Sequence, residues 1–546
     1  MRLPLTLAAA AFATLVAMPA WADDNDGIGK IEIGVPNAVT PTSGVAQNSV
    51  IDPKFRARLL ATGTDPLENP SGLITRFGLL ADNTPTEPDQ NLYVVFKQNP
   101  GGPSPGFDYG RHFLYQGHEN RGNMAYVTRI NLDIPRGDIH RITLLTPPNG
   151  AAGTGFNAID GSAFNPFTNT LLFTQENGTT GGVIQITPGW PPQVNTLYQF
   201  LGRGGYEGIH PDDNGALYIA EDVGGVRPGG LGANNIPLNA AAQPNSFIYR
   251  YVPNNPKRIE DGGKLQALQV IIAGSPVVFH AADPKGDILA DTQLKLHTPG
   301  TSYPIKWVTI HTANKDDPAS MSFDANAAAK AAGATPFKRP ENTAWLPGSD
   351  FRTFYFTATG DTDAPTSSVP ELAARGSWGS IFRVDLRGRG GRDDDDHHGN
   401  DRQSDNHQSD DDGRISLFVL GDQVHNSFDN LAFANKHQLL VGEDRGDALH
   451  DQLQKLDSVW AYDVQNPRRA IRFIAQGRDA LAAVSGAEDN EPTGVFVSSG
   501  RTGKEDLLGT EASLDDARGF VTQQHGENNV FEVFRRRGDG FAGGGY

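Results

Sequence analysis

Acidic side chains recur in this sequence where β-hairpins would begin and end. Glu207 stands immediately before Gly208, Glu341 before Asn342 and Asp429 before Asn430, each at the head of an apolar-alternating run. Glu491 stands two residues before Thr493. A second set closes the run that follows: Glu176-Asn177, Glu221-Asp222, Asp361 with Asp363, and Glu443-Asp444. Carboxylates brought close together repel, so they must take up protons or share a cation. Oxygen ligands in number suit hard ions such as Ca²⁺, Mg²⁺, Mn²⁺ or Fe³⁺. The chain contains no cysteine, which excludes thiolate ligands, disulfides and a Cys nucleophile. The plainer alternative is that these acids and amides cap hairpin turns in water.

Four segments share one plan: SAFNPFTNTLLFTQENG from Ser162, GIHPDDNGALYIAEDVGG from Gly208, NTAWLPGSDFRTFYFTATGD from Asn342 and NLAFANKHQLLVGEDRG from Asn430. Each reads as strand, Pro/Asn/Asp/Gly turn, second strand, then acids or amides with Gly. The gaps between them approximate one, three and two multiples of a length near 45, within the roughly 40–50 residues of a propeller blade. Thr493-Gly494-Val495-Phe496-Val497 opens a fifth copy. The predicted fold is an all-β propeller of six or seven blades with long loop insertions; a β-sandwich with repeated turn chemistry is the rival. Inner strands of a propeller start at one face around a channel, so the first set of acids would ring a single opening. One short helix is predicted, over Asp324 to Ala332.

The 546 residues include 63 Gly and 37 Pro and carry a net charge of −18. An acidic balance argues against nucleic acid as a partner, because phosphate backbones need a basic face. Arg2, an apolar run from Leu3 to Met18 and Ala20-Trp21-Ala22 read as a secretory signal over residues 1–22. The run is shorter than the roughly 20 residues of a membrane anchor, so a soluble, monomeric, periplasmic or secreted product is expected. Residues 23–45 read as an N-terminal tail, 46–537 as the propeller and 538–546 as a Gly-rich tail. Arg392 to Gly413 holds nine Asp and two Arg and is expected to be a solvated, disordered loop. Its His397, His398 and His407 could gather Zn²⁺ or Ca²⁺ loosely. Gly102-Pro103-Ser104-Pro105-Gly106 fits a nucleophile-elbow pattern literally, but two prolines deny it the helix that such an elbow requires.

Phe337-Lys338-Arg339-Pro340-Glu341-Asn342 resembles the RPE motif of the PhoX-type alkaline phosphatases, secreted bacterial phosphomonoesterases with a propeller fold and a mixed iron and calcium centre. Further matches follow in the family's order. Gly117-His118-Glu119-Asn120 resembles its early HE motif, and Tyr206-Glu207-Gly208 with Glu221-Asp222 its second metal-binding blade. Asp429-Asn430-Leu431, Glu491-Pro492-Thr493-Gly494 and Gln523-Gln524-His525-Gly526 resemble its D-N-L, E-x-T-G and QH-G motifs. The resemblance implies that Glu176, Glu207, Glu341 and Asp429 hold the ions, with Glu119, Asp222 and Glu491 as additional ligands. It implies a small phosphate ester as substrate. Arg339 then clamps the phosphoryl oxygens, which a guanidinium fork suits, or pairs with Glu341. His118 and His525 are second-shell donors, phosphate contacts or satisfied buried histidines, and Lys338, on the other side of an extended strand, is expected to face solvent.

The sequence departs from the family at Thr174-Gln175-Glu176-Asn177, where T-C-E-E is typical and the cysteine binds iron. Gln175 offers a neutral amide instead. Twin arginines are also missing from the export signal. The cofactor expected is therefore Ca²⁺, with Fe³⁺ or another hard cation as the alternative. Three functions stay open: a PhoX-type phosphomonoesterase, a phytase-like or lactonase-like propeller hydrolase, and a calcium-stabilised propeller without catalysis.

Overall fold

The computed structural model describes residues 27–146, 155–318, 321–387, 412–485 and 490–536. The signal segment, the C-terminal tail and most of the Asp/His-rich segment with its three histidines lie outside the described residues.

The four hairpins form where the alternation and turn chemistry place them. Ile159–Asn165 pairs with Thr170–Gln175, Tyr206–Pro211 with Leu217–Glu221, Pro340–Trp345 with Thr353–Ala358, and Phe428–Asn435 with Gln438–Glu443. Asp212 shows how a turn residue closes one of them: its Oδ1 accepts from the backbone N–H of Asn214 and of Ala216, each at 2.9 Å. A fifth hairpin joins Glu491–Ser498 to Arg518–Gln524, and a sixth joins Glu87–Val95 to His112–Glu119. Further antiparallel strands extend each hairpin outward into a blade. The inner strands of the six blades, numbered here in chain order from Glu87–Val95, pack in a closed ring with blade 6 against blade 1. This is a six-bladed propeller. Its last blade is completed by Phe55–Ala61, a strand from near the start of the chain that pairs with Asn529–Arg535.

The spacing between hairpins misleads on one point. No blade fills the interval from Gly208 to Asn342 beyond blade 3 itself. It is occupied by the helices Pro284–Ile288 and Asp291–Leu296 and by the long strand Ser302–Asn314. That strand pairs with Gly262–Ile272 on one side and Gly413–Leu420 on the other, so it welds blades 3 and 4 into one sheet. Gly413, expected to close the disordered loop, instead opens a strand. Between these two blades Phe337, Phe356 and Phe382 pack with centroids 5.0 to 5.5 Å apart.

Asp324 caps the expected helix, here Ala325–Ala331, by accepting from the Ala327 N–H at 2.9 Å. Gly446–Leu453 forms a further helix. Within the N-terminal segment 23–45, residues 28–35 make packed contacts. Ile28 and Ile31 are buried, the Ile28 N–H donates to Ala434 O at 2.9 Å, and the Val35 N–H donates to Arg472 O at 2.7 Å. Among the described residues no helix is long and apolar enough to cross a membrane.

Two glycines set how closely the inner strands meet. A Cβ on Gly161 would lie 2.2 Å from the Glu207 carbonyl oxygen, and one on Gly208 would lie 2.3 Å from Asn342 Oδ1. Blades 2, 3 and 4 touch at these points, and the acid before each glycine is carried toward the next blade. Gly208→Val is expected to cost about 1–3 kcal/mol by overpacking, read as a lower denaturation midpoint with an unchanged denaturant slope.

Candidate metal centre

Every inner strand carries an acid near its start, namely Asp89, Asp160, Glu207, Glu341, Asp429 and Glu491, and blade 1 has Glu87 as well. In blades 1 to 5 that acid falls in a register shift against the second strand, as Glu207 does between Tyr206 and Ile209 and Glu341 between Pro340 and Thr343. A bulge lifts a residue out of the ladder and re-aims its side chain. Here it turns the bulged acid from the sheet face to the channel.

The result is a row of buried carboxylates. Asp89, Glu119 and Asp160 form one triad, Asp160, Glu176 and Glu207 a second, and Glu207, Glu341 and Asp429 a third. Within each triad one oxygen per residue lies within 4.8 Å of the others. Asp160 and Glu207 are each shared by two triads, so the three adjoin. Burial first, and then mutual repulsion, holds the carboxyls of Asp89, Glu119, Asp160, Glu176, Glu207 and Glu341 well above the ordinary range. Burial also raises Asp429.

The donor set fits hard cations. Asp89 Oδ1 and Asp160 Oδ1 are buried without a hydrogen-bond partner, as an oxygen reserved for an ion would be. Neutral donors orient the other carboxylates: Gln524 Nε2 donates to Glu119 at 2.9 Å, Thr359 Oγ1 to Glu341 at 2.6 Å and Asn430 Nδ2 to Asp429 at 3.0 Å.

Of the residues singled out in the sequence, Glu119, Glu176, Glu207, Glu341 and Asp429 meet in the triads, and Glu491 adjoins Asp429. Asp222 stands outside them and accepts from Arg339 Nε at 2.8 Å. Arg339 Nη2 also lies 3.6 Å from Glu341 Oε1, so the arginine pairs with acids of the mouth. His525 lies at the rim, its Nε2 3.8 Å from Glu491 Oε2. His118 does not join this group. It is fully buried between Thr86 Oγ1 at 3.1 Å and Thr128 Oγ1 at 2.9 Å and stacks on Tyr126.

Lys338 is not at the solvent face. Its Nζ donates to Asp361 Oδ2 at 2.7 Å, with side-chain exposures of 3% and 0%. The alternation that would have turned it outward fails because Arg339 has a left-handed backbone, φ +54°. Glu221 also points away from the row, into donors from Tyr249, Asn326 and Phe247, and burial pushes its carboxyl up to about 8. Gln175 is committed elsewhere: its Oε1 accepts from Tyr198 OH at 2.6 Å and its Nε2 donates to Asn157 O at 3.0 Å.

Asp89 and Asp160 are triad members that the reading of the sequence missed. Asp160-Gly161 repeats the acid-glycine pair of Glu207-Gly208, and it precedes Ser162 by the same two residues that separate Glu491 from Thr493. Asp89 gave a weaker signal, because a Gly/Pro-rich connection of residues 96–111 separates the strands of its hairpin.

The family model for alkaline phosphatase PhoX matches residues 152–502. The chain belongs to that family. Membership in the PhoX family supports a phosphoester hydrolase of alkaline phosphatase type. Among solved structures, Pseudomonas fluorescens PhoX in complex with vanadate, a transition state analogue, is similar at 14% identity and a TM-score of 0.51, covering 92% of this chain and 98% of that one. This likeness shows the fold. TolB from Acinetobacter baumannii is similar only at 9% identity and a TM-score of 0.29, covering 82% of this chain and 63% of its own. No curated protein matches.

Two stability measurements check the electrostatics. Lys338→Met strands a buried carboxylate and is expected to cost about 3–5 kcal/mol, most of which Lys338→Met/Asp361→Leu recovers. For the row, carboxyls with raised folded-state pKa bind more protons folded than unfolded, so stability falls as pH rises above the ordinary carboxylate range. Chelator-treated protein should therefore lose thermal stability from pH 5 to pH 8, and Ca²⁺ should restore it at the alkaline end.

Proposed function

We propose that the chain is a secreted, metal-dependent phosphomonoesterase whose reaction takes place at the carboxylate row in the propeller mouth. The observation that supports this reading most strongly is the sharing of Asp160 and Glu207 between adjoining triads in a PhoX-family chain. Glu119, Glu176, Glu207, Glu341 and Asp429 would hold the ions, together with Asp89 and Asp160. Hard cations bound there would reverse the sign of an acidic mouth toward a dianionic ester, polarise phosphoryl oxygen and acidify water.

The chain's own groups do the rest. Arg339, anchored through Nε on Asp222, would turn its terminal N–H groups to phosphoryl oxygens, with Nη2 coming from its position 3.6 Å from Glu341. His525 at the rim is placed to hold a proton for the leaving oxygen. Glu491 faces His525, with Oε2 3.8 Å from the ring Nε2. His118, buried among Phe77, Tyr126 and two threonines, supports the strand that carries Glu119 and does not meet substrate.

Calcium is the ion that the all-oxygen donor set suits first. A calcium-stabilised propeller without turnover is the second reading, favoured by the commitment of Gln175 to Tyr198 and Asn157. Turnover separates the two. The calcium-loaded protein is expected to hydrolyse an aryl phosphate at alkaline pH, to lose that activity on chelation, and to lose it with Glu207→Gln. Arg339→Ala should lower kcat by roughly 10²–10³-fold, as removal of one oxyanion donor does. Activity indifferent to chelator and to Glu207→Gln would defeat the proposal, and hydrolysis of a lactone in preference to the phosphate would reassign the substrate.

A further inference from the structure

We infer that Arg121 is the residue that first captures the phosphoryl group of the incoming substrate, ahead of Arg339. This rests on the phosphomonoesterase reading and assigns the recognition of its dianionic substrate class to a second guanidinium. Arg339 already faces two carboxylates, Asp222 at 2.8 Å and Glu341 at 3.6 Å. Arg121 is exposed and makes no ion pair or hydrogen bond among the described residues. It follows Glu119 by two positions, in the turn that joins the second and third strands of blade 1.

That turn is fixed against the mouth. Ala158 N–H donates to Asn120 O, and Glu176 N–H donates to Ala158 O, both at 2.9 Å, so the backbone beside Arg121 is two hydrogen bonds from that of a triad member. Two more bonds hold the turn to blade 2: Asn123 N–H to Asn157 Oδ1 at 2.6 Å, and Asn157 Nδ2 to Asn123 Oδ1 at 2.9 Å. The positive charges of Arg339 and Arg121 both act on the Glu176 carboxylate. Arg121 thus pairs a rigid base with an exposed head that makes no ion pair or hydrogen bond among the described residues. A guanidinium in that state can present two parallel N–H groups to a phosphate without giving up a carboxylate. In a chain of net charge −18 an exposed cation whose charge reaches Glu176 also offsets the long-range repulsion that a dianion meets.

The test uses the full calcium-loaded protein, with inorganic phosphate as the probe in isothermal calorimetry and an aryl phosphate for turnover. Arg121→Ala should weaken phosphate binding by about tenfold, the size of one charge-assisted hydrogen bond. It should raise KM more than it lowers kcat and flatten the salt dependence of kcat/KM. Arg121→Lys should recover part of the loss, and bound calcium by elemental analysis should stay the same, which separates capture from an effect through Glu119. Phosphate affinity and KM unchanged in Arg121→Ala would overturn the inference, as would a loss in kcat alone. If the wild-type protein turned over no phosphate ester the functional reading would fail, and calorimetry would still decide Arg121: tenfold weaker binding supports it, and unchanged or absent binding rejects it.

Discussion

Seven carboxylates, Asp89, Glu119, Asp160, Glu176, Glu207, Glu341 and Asp429, crowd into three adjoining triads, and the rest of the molecule is arranged to hold them there. Two ionised carboxylates at such separations repel by roughly 3–4 kcal/mol at an effective dielectric of 20. A local motif could not hold so many. The propeller does, because the seven acids hang from five different blades and the ring of inner strands is closed. Pushing any of them apart means separating blades whose interfaces are packed with buried apolar side chains.

The distribution of cations follows the same logic. Lys338 is paired with Asp361, Arg445 with Glu443 and Arg339 chiefly with Asp222. These are acids of the second set, at the ends of second strands and outside the triads. Basic side chains therefore pair most closely with carboxylates behind the row, while the hydrogen bonds to Glu119, Glu341 and Asp429 come from the neutral donors Gln524, Thr359 and Asn430, and Arg339 Nη2 approaches Glu341 only to 3.6 Å. Neutral donors fix the orientation of a carboxylate without satisfying its charge, which leaves the row's charge available to a cation.

How much of this was legible in the sequence depends on whether the signal was local. Hairpins around Asp212 and Asn169 were legible because turn residues act over three or four positions. Glu207, Glu341 and Asp429 were legible because each abuts a recognisable strand. Asp160 was missed because the repeated plan reads as beginning at Ser162, beyond the bulge that carries the acid. Lys338 was misplaced because a positive φ at Arg339 breaks the two-residue alternation, and nothing in the residue types announces that break. Six blades fall within the six or seven expected, but spacing could not choose between them because a propeller tolerates insertions between strands, and the long strand Ser302–Asn314 occupies sequence that spacing alone would assign to blades.

The sequence by itself determined the chemistry of the donors. With no cysteine and with acids at strand ends, any centre had to be oxygen-rich and to favour hard cations. It also determined the hairpins, since alternation and turn residues act on near neighbours. Only the tertiary structure decided which acids meet, which two are shared between triads and which arginine is left uncommitted. Those relations join residues separated by more than three hundred positions, such as Asp89 and Asp429, and they exist only once bulges have turned the side chains and the ring of blades has closed.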